Sequence, residues 1–163
     1  MKNRYGIDIW SDDNFFIEDG VVKVNYKPYP SLIKIVKDVR KQGFKGPLLL
    51  RFPHITKKQV KTLFNTFNAS IKEYDYKGKF NAVFPLKVNQ LPNFIHPLVS
   101  YGKKYNYGLE AGSKAELIIA MTYNNMGSPI TINGYKDKEM IHLCFIAKSI
   151  GNDITVIIEG LNE

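Results

Sequence analysis

Short apolar runs alternate with amphipathic helical patterns along the chain from about residue 44 onward. The strand-like runs occupy residues 48–52, 80–86, 105–109, 129–132 and 154–158. Stretches with apolar residues at helical spacing separate them. Because the runs are nearly continuous in their apolar character, we expect strands that are covered on both faces, as in a parallel sheet. Strands that alternate with helices predict parallel pairing through right-handed crossovers.

Capping residues mark the starts of three predicted helices. Ser113 and Glu116 have the spacing of a capping box, in which each side chain satisfies a backbone N–H group of the other residue. Thr56 and Gln59 have the same spacing after the first run, and Asp137 precedes the helix that follows the fourth run. These positions predict where the connecting helices begin.

The first 43 residues have a different pattern. Two strand-like pieces, residues 13–17 and 21–25, flank Asp19-Gly20, a typical hairpin turn. A helix with one apolar face is predicted over residues 31–42. We therefore divide the chain into an N-terminal hairpin and helix segment, residues 1–43, and a βα region, residues 44–163.

Two α/β architectures fit the βα region. A (β/α)8 barrel needs about 250 residues, or roughly 30 per unit. The region supplies about five strands and four helices, so we predict a partial TIM-like barrel, truncated as a fragment of a larger chain. An open doubly wound sheet is the alternative, although the sequence contains neither a phosphate-binding P-loop nor a Rossmann glycine fingerprint.

The net charge limits the classes of partner. Lys and Arg number 23 against 15 Asp and Glu, which gives a net charge of +8. The lysines are spread along the chain without a block of five like charges, so we expect a solvated basic surface and no nucleic-acid partner. A basic module that binds nucleic acid or another anion stays as a second hypothesis, and its binding would weaken steeply with salt.

The sequence contains no pattern typical of a membrane span, a signal peptide or a disulfide framework, which bears on the cellular location of the protein. It has no apolar run of eighteen residues, so we expect no membrane span. No apolar stretch follows the positively charged first residues, which argues against a signal peptide. A single cysteine, Cys144, excludes an internal disulfide and suits a reducing cytoplasm, where we expect the protein to work.

Lys87 is the first candidate for chemistry. It follows the second apolar run, so it is predicted at the carboxyl end of a buried strand, where barrels and doubly wound sheets build active sites. Partial desolvation there would favour a neutral, nucleophilic amine, which can form a Schiff base with an aldehyde. By position alone, a lysine that merely reaches solvent is the alternative.

Three sequence motifs make the interpretation of Lys87 more specific. Residues 83–90 read V-F-P-L-K-V-N-Q, residues 108–117 read G-L-E-A-G-S-K-A-E-L, and residues 133–137 read N-G-Y-K-D. Together they resemble the biosynthetic arginine decarboxylases, with Phe84 where that family often has tyrosine. The opening of the chain, including Tyr5 and Trp10, is also similar. The resemblance covers nearly the whole sequence.

The resemblance implies a fold, a cofactor and a reaction. The fold is the alanine-racemase-type barrel that binds pyridoxal 5'-phosphate, joined in the full enzyme to a β-rich C-terminal domain. Lys87 is the residue that would hold the cofactor as a Schiff base. The reaction is decarboxylation of L-arginine to agmatine and CO2 in polyamine biosynthesis. A decarboxylase of another basic or diamino acid on the same barrel is an alternative.

Three further residues are candidates for the cofactor site. Glu110 could lie near the lysine amine and guide proton transfer, or it could serve as an acid at a helix N-terminus. Asn89 and Asn133 could hydrogen-bond the cofactor or the substrate carboxylate, or they could shape turns. His54, His96 and His142 lack metal-ligand spacing, so no residue is assigned to a metal.

The resemblance also implies that parts of the site are missing. In that family the partner of the pyridine nitrogen, the phosphate-binding loop, a ring-stacking histidine and the C-terminal domain would lie beyond residue 163. The active site forms between two chains, so we expect a homo-oligomer at full length and no useful activity from these 163 residues alone. Magnesium often accompanies the family, but no magnesium site is visible in the sequence.

Overall fold

The computed structural model describes residues 4–163 and divides into two compact units. The first ends at Ile55 and the second comprises Thr56–Glu163. Residues 1–3, which belong to the predicted N-terminal segment and to the positively charged start, lie outside the described residues. None of the helices in the described part of the chain is long and apolar enough to cross a membrane.

The first unit contains the predicted hairpin and helix. Its elements are α1 (Ile7–Trp10), β1 (Phe15–Glu18), β2 (Val21–Val24) and α2 (Leu32–Lys41). Strands β1 and β2 pair antiparallel around Asp19 and Gly20, whose φ angles of 52° and 76° are those of a tight hairpin turn. The Ser31 side chain accepts a hydrogen bond from the Lys34 N–H and caps α2. Both predictions are confirmed.

The strand predicted at residues 48–52 is wrong. Residues 47–52 form neither helix nor strand, and helix α3 (Pro53–Glu73) begins three residues before Thr56. A proline is well placed in the first turn of a helix, because its missing N–H would have no partner there. The apolar run is used for side-chain packing instead, since the Phe52 ring lies edge-on to Phe15 at 5.3 Å between centroids.

The second unit is built on a parallel sheet. After α3 come β3 (Val83–Pro85), α4 (Pro92–Gly102), β4 (Gly108–Ala111), α5 (Lys114–Tyr123), β5 (Pro129–Ile132), α6 (Lys138–Ser149) and β6 (Asp153–Val156). The four strands pair in the order β3-β4-β5-β6, and every pair is parallel. The prediction of parallel βα units is confirmed, with four strands in place of five.

Two of the three predicted capping residues, Ser113 and Asp137, cap helices in the structure. The Ser113 hydroxyl accepts from the Glu116 N–H at 3.2 Å, and the Asp137 carboxylate accepts from the Met140 N–H at 2.8 Å. Each bond satisfies a backbone donor that the first turn of a helix leaves without a partner. Gly151, after α6, has a φ of 98°, a left-handed conformation that glycine adopts without strain.

Burial alternates along β5 and β6 and over residues 109–111 of β4, so the expectation of cover on both faces is wrong for this chain. Leu109, Ile130 and Ile132 are fully buried on the face against which α4, α5 and α6 pack. On the opposite face Glu110 and Thr131 are half-buried and Thr155 is exposed. The sheet therefore has one apolar face beneath the helices and one polar face that no helix of this unit covers.

The ion pair between Lys114 and Asp137 gives the fold a pH dependence. The two side chains are 2.7 Å apart, and this hydrogen bond, together with that from the Met140 N–H, lowers the pKa of Asp137 below its ordinary value of 3.8. A lowered folded-state pKa contributes stability that is present above the unfolded value and is lost as the pH falls through the folded value.

We predict that Asp137→Asn lowers the urea midpoint of unfolding at pH 7 and that the difference from wild type disappears as the pH falls below about 4. Asparagine caps a helix as well as aspartate does, so the substitution removes the charge and keeps the cap. Urea titrations of both proteins at several pH values measure this. A difference that persists undiminished at pH 2 would show that the ion pair is not its cause.

Candidate active site

The parallel register brings three predicted site residues to one edge of the sheet. Glu110 lies in β4, Lys87 follows β3, and Asn133 follows β5. The carboxyl ends of parallel strands meet at the same edge, which is where α/β folds place their sites. Pro85 pairs with Glu110, so the turn that carries Lys87 begins directly beside the Glu110 side chain.

Lys87 and Glu110 form a charge pair. The Lys87 Nζ is 3.6 Å from the Glu110 Oε1. The lysine side chain is 63% exposed and the glutamate side chain 17% exposed, so the carboxylate is fixed in the fold and the amine reaches outward. The poorly hydrated amine that the sequence suggested is thus not found in this chain alone. What the pair offers is a primary amine with a proton acceptor beside it.

A row of side chains continues from Glu110 across the polar face of the sheet. Glu110 is in register with Thr131, and Thr131 is in register with Thr155. Side chains paired in this way point to the same side of a sheet. Neither threonine was predicted from the sequence as a site residue, although the alternation P-I-T-I in β5 and D-I-T-V in β6 is typical of a sheet with one polar face.

Asn89 and Asn133 lie at the same edge, where Asn89 shapes a turn and Asn133 extends the pairing of two strands. The Asn89 Oδ1 accepts a hydrogen bond from the Leu91 N–H at 3.0 Å, immediately before α4. The Asn133 backbone N–H donates to the Ala111 carbonyl at 3.0 Å and extends the β4–β5 pairing by one residue. The Asn89 contact fits the turn chemistry that was the alternative for this residue, whereas the Asn133 contact involves only its backbone. Their roles towards a cofactor stay predictions.

Two other lysines follow strands at this edge, and both are engaged with carboxylates. Lys114 is hydrogen-bonded to Asp137 and to Glu139, and these bonds raise the pKa of the Lys114 amine. The Lys136 side chain is only 2% exposed, and its Nζ lies 3.0 Å from Glu163 and 3.2 Å from Glu159.

Burial of Lys136 lowers the pKa of its amine, but the hydrogen bonds to Glu163 and Glu159 outweigh it and raise the pKa overall. Both Lys114 and Lys136 are therefore held as ammonium ions within networks of two carboxylates. Lys87 differs from them because it faces one carboxylate at a longer distance and stands largely in solvent. It is the amine at this edge that is best placed to react.

A cavity lies at the other edge of the sheet. It has a volume of about 260 Å³ and is lined by Lys79, Asn81, Ala82, Val83, Asn106, Pro129, Thr131, Asp153 and Thr155. These residues gather around the amino ends of the strands. This cavity is not lined by Lys87, whose side chain is 63% exposed, so the site at Lys87 is open to solvent in this chain.

The histidines and the cysteine do not build a metal site. Among residues 4–163, no group of three His, Cys, Asp or Glu side chains could hold a metal ion. His54 stacks on the Tyr26 ring at 4.6 Å, and burial lowers the pKa of its imidazole. Cys144 is buried in the core beneath the sheet, where burial raises the pKa of the thiol. Both side chains serve packing.

Comparison with known proteins finds relatives among the biosynthetic arginine decarboxylases. No protein-family model matches the chain. It is 37% identical over 167 residues to the biosynthetic arginine decarboxylase of Prochlorococcus marinus (strain MIT 9515), covering 99% of this chain and 26% of the relative. It is 39% identical to that of Geotalea daltonii, covering 98% of this chain and 26% of the relative.

A solved structure agrees with these relatives. The crystal structure of the biosynthetic arginine decarboxylase from Campylobacter jejuni is 59% identical, with a TM-score of 0.93 over 97% of this chain and 27% of that protein. The chain thus spans about a quarter of the length of the proteins it matches. Along almost its whole length, it is a homologue of part of the biosynthetic arginine decarboxylases.

Proposed function

We propose that this chain is the cofactor-lysine portion of a pyridoxal-phosphate-dependent enzyme that converts L-arginine to agmatine and CO2 for polyamine biosynthesis. The observation that carries the proposal is Lys87, an exposed amine 3.6 Å from Glu110 at the carboxyl edge of a parallel sheet. The homologues named biosynthetic arginine decarboxylase supply the reaction.

The sheet is proposed to be one part of a (β/α)8 barrel of the alanine-racemase type. Its strands pair in sequence order, with α4, α5 and α6 packed on one face, as successive units of a barrel do. The polar face with Glu110, Thr131 and Thr155 would then be the barrel interior. Strands β3 and β6 have one partner each in this sheet, so further strands could extend it.

Lys87 fits the cofactor because a primary amine that reaches outward from a strand end can condense with an aldehyde. When bound, pyridoxal phosphate supplies a ring that takes up the electron pair left on the substrate when CO2 departs. Lys87 would hold the cofactor, with Asn89 and Asn133 as further polar groups at the same edge. Glu110 completes the set as the carboxylate nearest to the amine.

The proposed roles of the two charged residues concern one proton. The Glu110 Oε1 is 3.6 Å from the Lys87 Nζ, which is too far for a direct hydrogen bond, so we propose that one water molecule relays the proton from the amine to the carboxylate and back. Lys87 can then deliver a proton to the substrate carbon and release the product. No residue of this chain is assigned to magnesium, because no group of three His, Cys, Asp or Glu side chains in the described residues could hold a metal ion.

The proposal also includes the oligomeric state, the substrate and the cellular location of the enzyme. We infer a homo-oligomer in the full-length protein, with L-arginine as its small-molecule substrate. A cytoplasmic location is supported by Cys144, a free thiol in the core that a reducing compartment keeps intact.

We predict that pyridoxal phosphate followed by borohydride labels Lys87 in preference to the other lysines, because its exposed amine has the largely buried Glu110 carboxylate 3.6 Å away to assist the proton transfers of imine formation. Peptide mapping by mass spectrometry measures the share of the label at each lysine. Lys87→Ala should lose the dominant label, whereas Lys79→Ala, which removes another exposed lysine, should keep it. An even spread of label over the lysines would refute the assignment of Lys87.

We further predict that the isolated 163-residue chain produces no agmatine from L-arginine in the presence of pyridoxal phosphate. The reason is that its site is an open edge, without the enclosure that keeps water from a reacting centre. A product assay with L-arginine, L-ornithine and L-lysine as substrates tests both activity and substrate class. Clear turnover of any of them would contradict this prediction. Turnover of L-ornithine or L-lysine in preference to L-arginine would show that the proposed substrate is wrong.

A further inference from the structure

Glu116 joins the turn after β3 to the loop after β4. Its Oε2 accepts a hydrogen bond from the Gly112 backbone N–H at 2.7 Å. Its Oε1 accepts one from the Gln90 side-chain amide at 3.3 Å. Gln90 is three residues beyond Lys87, and Gly112 is two residues beyond Glu110. One carboxylate thus connects the two segments whose side chains form the charge pair.

This arrangement departs from an ordinary capping box. In that motif the carboxylate at the third helical position binds the N–H of the capping residue itself, which here is Ser113. The Ser113 hydroxyl does accept from the Glu116 N–H, so half of the motif is present. The Glu116 carboxylate instead binds Gly112, one residue earlier, and this leaves its second oxygen to Gln90. The carboxylate therefore acts on the loops as well as on the helix.

The anchor for this connection is rigid. A Cβ added at Gly112 would lie 3.0 Å from the Asn133 carbonyl oxygen, and a Cβ at Gly134 would collide with the Gly112 carbonyl. The loops after β4 and β5 are therefore packed backbone against backbone, which fixes the Gly112 N–H in space. A carboxylate bound to that N–H is itself held in one place.

The Lys87 turn is tied to β4 at its start, where the fully buried Leu86 donates its backbone N–H to the Glu110 carbonyl at 3.0 Å, whereas the residues after Lys87 are held by local bonds. The Val88 N–H donates to the Pro85 carbonyl, and the Leu91 N–H donates to the Asn89 side chain. Both bonds close turns and do not fix the position of residues 88–91 relative to the loop after β4. The Gln90–Glu116 bond reaches across 26 residues of sequence to the neighbouring loop.

We propose that Glu116 is a positioning residue that, through Gln90 and Gly112, holds the Lys87 turn beside Glu110. The proposal rests on the proposed function, in which Lys87 carries the cofactor. Glu116 acts by geometry and does not react. A glutamine at this position can keep one acceptor for Gly112 and use its amide to donate to a reoriented Gln90, so the connection should survive loss of the charge.

The test uses wild type and four variants of the full chain. Glu116→Ala and Gln90→Ala each break the connection, and Glu116→Gln is the conservative rescue. Ser113→Ala is the matched control, because it weakens the start of the same helix without touching the Gln90–Glu116 bond. Hydrogen exchange of amides 88–91 reports the mobility of the turn without any cofactor. Borohydride-trapped pyridoxal phosphate reports the share of label at Lys87.

The expected result separates the variants into two groups. Glu116→Ala and Gln90→Ala speed exchange of amides 88–91 at least about tenfold, the factor that loss of one net hydrogen bond can give, and lower the share of label at Lys87. Glu116→Gln and Ser113→Ala leave both measurements near wild type, even where Ser113→Ala lowers global stability.

Unchanged exchange at residues 88–91 in Glu116→Ala would overturn the proposal, and so would equal effects of Ser113→Ala and Glu116→Ala. If Glu116→Gln also speeds exchange of amides 88–91 and lowers the share of label at Lys87, the charge of Glu116 is required, and the proposal that it acts by geometry is wrong. If wild type shows no preference for Lys87 in the trapping experiment, the proposed function fails, while the exchange data still decide whether Glu116 holds the turn.

Discussion

The parallel pairing of β3 with β4 is the constraint on which the site depends. It places Pro85 opposite Glu110, so that Lys87, two residues further along, emerges at the edge where the carboxylate lies. A register shifted by one residue would turn Glu110 to the opposite face, among the buried apolar side chains beneath the helices. The 3.6 Å separation of amine and carboxylate is thus a consequence of strand register.

The surroundings of the three strand-end lysines explain why one of them is singled out. Lys114 and Lys136 are each bonded to two carboxylates, which stabilise the ammonium form and tie neighbouring loops together. Lys87 has a single carboxylate and an exposed side chain. Lys114 and Lys136 therefore stabilise the loops, whereas Lys87 is available for chemistry. The number of carboxylate partners distinguishes the three residues.

Much of this arrangement could be predicted from the sequence. The Asp19-Gly20 hairpin, the capping residues Ser113 and Asp137, and the run at 129–132 rest on local chemistry, and all were found where predicted. The run at 48–52 failed because apolar composition does not specify a strand without a partner for its backbone. The exposure of Lys87 could not be predicted, since it depends on what surrounds the strand end and not on the strand itself.

Relative reactivity of the three strand-end lysines tests the central claim most directly. Brief treatment of the folded chain with a neutral acetylating reagent, followed by mass spectrometry, gives a rate for each amine. The account predicts that Lys87 reacts at least about ten times faster than Lys114 and Lys136, because hydrogen-bonded ammonium groups are poor nucleophiles. Equal rates, or a faster reaction at Lys136, would contradict it.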